Sequence, residues 1–372
     1  MHVNIHSTQP LSVLLISPDK SEYGGVTAFA EMLKNRLVNC RFTSFSVGGR
    51  KDRKEYFIGT IARLLSAPFK ILQLVNEQPI DVIHINPSLN VKSVIRDGLI
   101  LFALRSTGFK HSVVYIHGWR WKIARGIERN FLFRRLFAWL LNGTAGIMVL
   151  SPEFKQCLSA MGVRDENIIV TRTMFDGNAL TEAAKNPAAQ TRRTILYMSR
   201  FLREKGVHEL LDAFAHIAND FPDVDLIMAG AGPEEAKLHA QAASYALKNR
   251  IFFPGYVQGA EKFRLLQQCA FFALPTNFAE GMPIALLEAM GAGKALLTAK
   301  AGAIPTIIDS NNGIVLESVT TQTVEDALHI LLNNPDYCAQ IGQYNAAYAW
   351  NTFEAGTVLS EMERLYRKIA LQ

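Results

Sequence analysis

Short apolar runs bounded by turn residues recur along the chain, and helix-length amphipathic stretches separate them. In the first half, Val13–Ser17, Val82–Asn86, Ser112–His117 and Gly146–Ser151 predict strands. In the second half, Thr194–Ser199, Leu226–Gly230, Ile251–Pro254, Ala270–Pro275 and Ala295–Ala299 do the same. Near-continuous apolar strands that alternate with helices mark parallel sheets covered on both faces. The stretch Asn178–Arg193 lacks periodicity and contains Pro187. It reads as a linker, so two doubly wound domains are expected to meet near residue 185. A last helix is expected from about Glu354 to Ala370, after the aromatic stretch Tyr348–Phe353. Leu136 to Pro152 carries no charge, but Asn142-Gly143-Thr144 interrupts it. A membrane-spanning helix needs about 20 continuous apolar residues, so helix, turn and buried strand is the reading there.

A chain of 372 residues exceeds one ordinary core and suggests two domains of similar size. With 49% apolar and 19% charged residues and no low-complexity run, the composition is globular. Cys40, Cys157, Cys269 and Cys338 lie too far apart for metal or redox spacing. Lone thiols fit a reducing cytoplasm rather than a disulfide framework. The apolar run Val13–Ile16 has no cleavage-site pattern, and no signal peptide is expected. Charge is uneven. Residues 1–190 hold 24 Lys/Arg against 14 Asp/Glu, a surplus of +10, and residues 191–372 hold 15 against 19, a deficit of −4, which together give the net +6. A basic first half predicts an acidic partner there.

The stretch Glu280-Gly281-Met282-Pro283-Ile284-Ala285-Leu286-Leu287-Glu288 carries the sharpest chemical signal. Pro283 suits the first position of a helix, where its missing N–H is not needed. The N–H groups of Gly281, Met282 and Ile284 would then point out of a helix N-terminus, where anions bind. Glu280 and Glu288 flank that site. Carboxylates repel phosphate but accept hydrogen bonds from sugar hydroxyls, so the pattern reads as a nucleotide-sugar site. With the apolar strand before it and Ala289–Lys294 after it, the stretch resembles the E-x7-E motif of retaining glycosyltransferases of family 4.

That resemblance implies an α/β GT-B fold, with two Rossmann-like domains facing across a cleft. The expected limits are 1–185 for an acceptor-side domain and 186–353 for a nucleotide-sugar-binding domain. A terminal helix at 354–372 would cross back to the first domain. Ser199-Arg200-Phe201-Leu202-Arg203-Glu204-Lys205-Gly206 resembles the family's G-R-x4-K-G element, with Ser199 where glycine is commoner. Arg200 and Lys205 are thereby placed on the diphosphate, supplying charge compensation that other transferases take from a divalent metal; Arg203 has no role in the pattern. Gly24 and Gly25, in Glu22-Tyr23-Gly24-Gly25-Val26, resemble the first-domain glycine pair that meets the donor phosphate or sugar. His117 resembles the strand-end histidine that hydrogen-bonds a hydroxyl of the donor sugar, although Gly118 stands where aspartate is commoner. His84 and Asn86 are candidates for acceptor-side roles.

The implied catalytic residues are therefore His117, Arg200, Lys205 and Glu280. Gly24, Gly25, Gly281, Met282, Pro283, Ile284 and Glu288 bind the nucleotide sugar, with Glu288 on the ribose hydroxyls and Glu280 on the sugar. No metal and no cofactor are expected, and UDP is favoured over GDP as donor nucleotide. The activity implied is metal-independent transfer of a sugar to a hydroxyl of a glycan or lipid-linked acceptor. An epimerase or hydrolase on the same fold is the alternative. Asp223-Val224-Asp225 mimics a metal-binding D-x-D but leads into a strand, so both carboxylates are expected at the surface. Gly230-Ala231-Gly232 lacks the third glycine of a dinucleotide fingerprint and is expected to form a tight turn near the base or ribose. The family's G-G-x-P-E appears as Ala301-Gly302-Ala303-Ile304-Pro305-Thr306, without the glutamate.

Two segments mix cations with large apolar residues. Arg50–Lys54 precedes Tyr56–Leu65, and Trp119–Leu141 holds six basic residues, with Lys122, Arg125 and Arg129 on one helical face. Such clusters attract anionic lipid headgroups. A cytoplasmic protein visiting the inner membrane face is expected, with no nucleic-acid partner.

Overall fold

The computed structural model describes residues 9–19, 24–48, 57–185, 192–245, 247 and 249–372. The chain divides into two compact units, one of Met1–Thr173 with Gly356–Gln372 and one of Met174–Ala355.

The first unit contains strands β1 (Leu11–Pro18), β2 (Cys40–Val47), β3 (Val82–Ile85), β4 (Ser88–Leu89), β5 (Ser112–Ile116), β6 (Gly118–Trp119), β7 (Gly146–Val149) and β8 (Ile168–Val170). The second contains β9 (Arg193–Met198), β10 (Val224–Ala229), β11 (Ile251–Gly255), β12 (Phe271–Leu274), β13 (Ala295–Ala299) and β14 (Gly313–Leu316). Each unit is built on a six-stranded sheet, ordered β2-β1-β3-β5-β7-β8 and β11-β10-β9-β12-β13-β14, while β4 and β6 form a separate small pair. Every pairing is parallel. The central strands are apolar on both faces because helices cover both. Val13, Leu14, Leu15 and Ile16 are all fully buried, as are Ile195, Leu196 and Tyr197. Sheet order reverses between β1 and β3 in one unit and between β9 and β12 in the other. At such switch points the loops beyond the strand ends part and leave room for a ligand.

Every strand expected from the sequence is present. Five were not expected: β4 and β6, which form the small separate pair, and β2, β8 and β14, which are edges of the two large sheets. An edge strand packs on one side only, so its apolar run breaks up. Strand β2 is buried only at its two ends, Cys40 and Val47, and β8 has a single buried residue. The boundary also differs from the expected position near residue 185. Asp176 caps a helix, Gly177–Ala184, whose Leu180 is buried within the second unit. The units part before it, at Thr173, where Phe175 bridges Glu354 and the two crossing segments run parallel. The segment 186–191, which holds the proline of the expected linker, lies outside the described residues.

The segment Leu136–Pro152 resolves into the end of helix Phe131–Leu141, a turn and β7. No helix among the described residues is long and apolar enough to cross a membrane. The four cysteines are free thiols.

The last helix, Ala355–Ala370, packs into the first unit through Tyr366, whose hydroxyl meets Nδ1 of His84. His84 is fully buried beside Tyr115 and Phe29. It is therefore a core residue and not the acceptor-side group the sequence offered. Burial, which disfavours the imidazolium, pushes its pKa down to about 3.

This shift has a definite sign. Between pH 6.5 and about 3 the unfolded chain takes up a proton that folded His84 refuses, so stability falls as pH drops through that window and is complete above it. His117 shifts the same way. Each such site contributes a slope of up to about 1.4 kcal/mol per pH unit. Urea unfolding at several pH values should show a shallower acid loss in His84→Gln than in the unaltered protein.

Candidate functional site

In the second unit, the two loops at the sheet's switch point are tied together by backbone. After β9 the chain runs through Arg200 and a short 3-10 turn, Arg203–Lys205, to Gly206. Gly206 has φ +69°, and a Cβ there would lie 1.9 Å from the carbonyl oxygen of Pro275 in the loop after β12. Only glycine allows that approach. The N–H of Asn277 donates to the Glu204 carbonyl at 2.8 Å, closing the same junction. Gly302 plays the matching part on the other side. Its φ is +56°, its Cβ would fall 1.9 Å from the Glu280 carbonyl oxygen, and the Ala303 N–H donates to that oxygen at 3.0 Å.

Held this way, Lys205 and Glu280 form a buried ion pair through Nζ and Oε1. The Thr276 hydroxyl donates to the same carboxylate at 3.3 Å, and the Phe278 ring lies 5.0 Å from the ammonium. The sequence treated Lys205 and Glu280 as separate contacts for phosphate and for sugar. The structure couples them into one neutral unit. Arg200 is exposed at the mouth of its loop, whereas Arg203 pairs with Glu209 at 2.9 Å.

Past Gly281 and Met282 a helix runs from Ile284 to Gly291. Pro283 is its N-cap, with ψ at 114°, and not its first helical residue as expected. The ring fixes φ but leaves ψ free to turn the chain out of the preceding loop. No side chain caps this terminus and no acidic residue occupies its first turn, so the N-terminal N–H groups keep their affinity for anions. Glu288 lies one turn further along, buried, and pairs with Lys262 at 2.5 Å. Burial raises its pKa and the Lys262 ammonium opposes that rise. Lys262 and Thr276 are the site residues that the sequence did not reveal. Both lie outside any spaced motif, and only the tertiary pairing marks them.

The turn Gly230–Gly232 packs directly against the Arg200 loop. Cβ atoms at the two glycines would strike the Ser199 and Phe201 carbonyl oxygens at 2.0 and 2.4 Å. Asp223 is exposed and pairs with Arg193. Asp225, expected at the surface, is instead 5% exposed and held by Arg192 and Arg250 at 2.8 and 3.0 Å. Two guanidiniums compensate its burial, which a strand-entry carboxylate needs.

In the first unit, Gly24 caps the helix Gly25–Arg36 after β1. Its backbone is extended and a Cβ there would meet nothing within 4 Å, so open space lies above this helix end. Glu22 and Tyr23 lie outside the described residues. His117 follows β5, with Nε2 2.8 Å from Oδ1 of Asn86. The Asn86 amide nitrogen donates to the Ile16 carbonyl at 3.3 Å, which turns its oxygen toward the ring. Nε2 must therefore carry the proton, leaving Nδ1 as an acceptor. Desolvation holds the ring neutral, with its pKa well below 6.5. Asn86 is thus the residue that orients His117. Gly118 sits tight against Ser88, where a Cβ would come within 2.9 Å of the hydroxyl.

Known structures share this architecture. Anabaena HepE in complex with UDP and glucose superposes with a TM-score of 0.73 at 20% identity, over 95% of this chain and 98% of that one. The fold is GT-B, with two Rossmann-like units of parallel sheet and helix. Residues 179–348 match the family described as Glycosyl transferases group 1. An uncharacterized glycosyltransferase of Bacillus subtilis, YqgM, is 24% identical over 62% of this chain and 63% of that protein. A phosphatidyl-myo-inositol mannosyltransferase of Mycobacterium leprae is 29% identical over 48% of this chain and 47% of that protein. The chain thus spans about half to three fifths of the length of these relatives. The matched segment 179–348 holds Arg200, Lys205, Glu280 and Glu288.

The buried pair makes a thermodynamic prediction. Removing one partner of a buried ion pair costs about 3–5 kcal/mol, because the other charge is left uncompensated. Lys205→Met should lose stability on that scale in urea unfolding, and adding Glu280→Gln should recover part of the loss. Strictly additive losses in that double-mutant cycle would show that the two side chains do not interact.

Proposed function

We propose that the protein is a retaining glycosyltransferase that moves a sugar from a nucleotide diphosphate sugar to a hydroxyl of a glycan or lipid-linked acceptor, without a metal. One arrangement carries this reading. The buried Lys205–Glu280 pair stands four residues before an uncapped helix N-terminus, and Glu288 rides on that same helix. An incoming diphosphate is a stronger anion than one carboxylate and competes for Lys205. It also takes the N–H groups at the start of helix Ile284–Gly291, and the exposed Arg200 closes on it as a bidentate donor. Glu280, released from the ammonium, then accepts from the sugar hydroxyls, while Glu288 accepts from the ribose hydroxyls.

In the transfer itself, the bond between the anomeric carbon and the phosphate oxygen breaks as the acceptor oxygen bonds to the same face of that carbon. The acceptor proton passes to the departing phosphate oxygen, so no protein nucleophile is needed and the anomeric configuration is kept. Positive charge on Arg200 and Lys205 stabilises the leaving diphosphate where a divalent ion would otherwise serve. His117, neutral and with Nδ1 free to accept, binds a hydroxyl of the donor sugar. UDP is the favoured nucleotide, supported by the UDP complex of the Anabaena relative. The class of acceptor and the basic first unit fit assembly of polysaccharide or glycoconjugate at the inner face of the cytoplasmic membrane.

Nucleotide-sugar turnover tests the assignment. Arg200→Ala should lower kcat/KM by about 100-fold or more through lost charge stabilisation, with little change in stability because the side chain is exposed. Glu288→Gln should chiefly weaken UDP binding, and Glu280→Gln should chiefly slow transfer. Unaltered turnover in an Arg200→Ala, Lys205→Ala double variant would remove the diphosphate assignment.

Thermal shift decides the nucleotide. UDP at 100 times its dissociation constant should stabilise the protein by about 2.7 kcal/mol. A shift with GDP and none with UDP would reverse the donor choice.

A further inference from the structure

Three neighbouring helices of the first unit carry a row of large apolar side chains on their outer surface. The helix Val91–Ser106 packs against both Phe57–Glu77 and Phe131–Leu141. Leu65 and Phe69 are exposed on the first of these, spaced i,i+4, and Val91, Ile95 and Phe102 on the middle one. Helix Phe131–Leu141 exposes most. Phe131 is 57%, Leu132 76% and Phe133 63% exposed, with Leu136 and Trp139 following. The rings of Trp139 and Phe102 meet at 6.1 Å, joining two helices of the row. Isolated exposed apolar residues are ordinary, but a run across three adjacent helices marks an interaction surface.

Cations edge this surface around helix Phe131–Leu141, and Glu77 is the exposed acid among the described residues of the three helices. From Arg129 to Pro152 the chain has no Asp or Glu. Arg134 and Arg135 stack over Phe131, at 5.9 and 5.3 Å, and Arg105 over Trp139 at 4.2 Å. Lys92 and Arg129 are exposed on the same helices or beside them. The acid of the middle helix, Asp97, is buried and paired with Arg96. Guanidiniums held over aromatic rings at the border of an apolar face match the depth profile of a bilayer interface, with rings at the headgroup level and cations at the phosphates. A second copy of this chain fits poorly, because a two-fold contact would set this cation-rich patch against itself.

We propose that helix Phe131–Leu141 is a membrane-insertion element, seating Phe131, Leu132 and Phe133 among the acyl chains of an anionic phospholipid bilayer while Arg105, Arg134 and Arg135 bind the headgroup phosphates. The proposal deepens the reading of a transferase acting on a lipid-linked acceptor and rests on that reading for its purpose. It also changes how the sequence placed the contact. Trp119, at the head of the basic segment, is buried and stacked on Phe154 at 4.4 Å, so it takes no part. The cluster Arg50–Lys54 and Tyr56 lie outside the described residues. The contact is led by inserted rings, with charge as a second contribution, so salt weakens it without abolishing it.

Co-sedimentation with vesicles of phosphatidylcholine, with and without phosphatidylglycerol, tests this on the full chain. The protein should pellet with the anionic vesicles and only weakly with the neutral ones, and part of the binding should persist at 1 M salt, where screening is nearly complete at about 3 Å. A Phe131→Ser, Leu132→Ser, Phe133→Ser variant should lose at least about tenfold in partition, and Arg134→Gln, Arg135→Gln should lose the preference for anionic lipid. Equal, negligible pelleting with both vesicle types overturns the proposal, as does a triple variant that binds like the parent. Complete release by salt overturns the insertion of the rings. Dimerisation in sedimentation velocity that the triple variant abolishes would assign the face to a second copy instead. Stabilisation by UDP, measured on the same triple variant, separates the outcomes: it should be unchanged, and its absence in the parent protein would bear on the transferase reading alone.

Discussion

The buried ion pair of Lys205 and Glu280 is the constraint on which the second unit's site depends. Two charges withdrawn from water are costly unless each faces the other in good geometry. That geometry is set by backbone, since Gly206 brings the loop after β9 onto Pro275 and Gly302 brings the loop after β13 onto Glu280. Both glycines sit at positive φ where a Cβ would collide, so neither loop relaxes independently of the other. A pair that is neutral as a whole yet made of two displaceable partners suits an anionic, hydroxyl-rich ligand. Under the proposed function, phosphate would replace the carboxylate and sugar hydroxyls the ammonium.

The first unit solves a different problem with neutral groups. His84, Tyr115 and Tyr366 fill the space between sheet and last helix, and burial keeps the imidazole uncharged. One strand-end further on, Asn86 fixes the tautomer of His117 by presenting an oxygen whose own nitrogen is already bonded to Ile16. Two histidines at similar places in parallel strands thus have opposite fates. One is sealed by the returning helix, and the other keeps a lone pair available at the end of its strand.

Legibility followed burial. Strands covered on both faces, such as β1, β9 and β13, appear as unbroken apolar runs and were read correctly, whereas the edge strands β2 and β8 have few buried residues and no such run. The edge strand β11 was still read because Ile251-Phe252-Phe253 keeps an apolar run despite partial exposure. The helix Gly177–Ala184 was read as linker because its few apolar residues show no period over eight positions. Its place in the second unit comes from Leu180 and from the Phe175–Glu354 bridge, contacts distant in sequence. Pro283 shows the same limit at one residue: proline suits either side of a helix start, and only the surrounding loop selects the N-cap.

By itself the sequence determined the two-sheet parallel architecture and the identity of the E-x7-E helix with the basic loop before it, because period, turn residues and motif spacing are local properties. Tertiary structure alone decided which carboxylate meets which cation. That Glu280 engages Lys205 from 75 positions away and Glu288 engages Lys262 from 26 follows from how loops converge at a sheet's switch point, and no spacing along the chain encodes it. The same holds for His84. A strand-end histidine reads identically whether solvent or a returning helix covers it, and the helix that covers it lies 282 residues away.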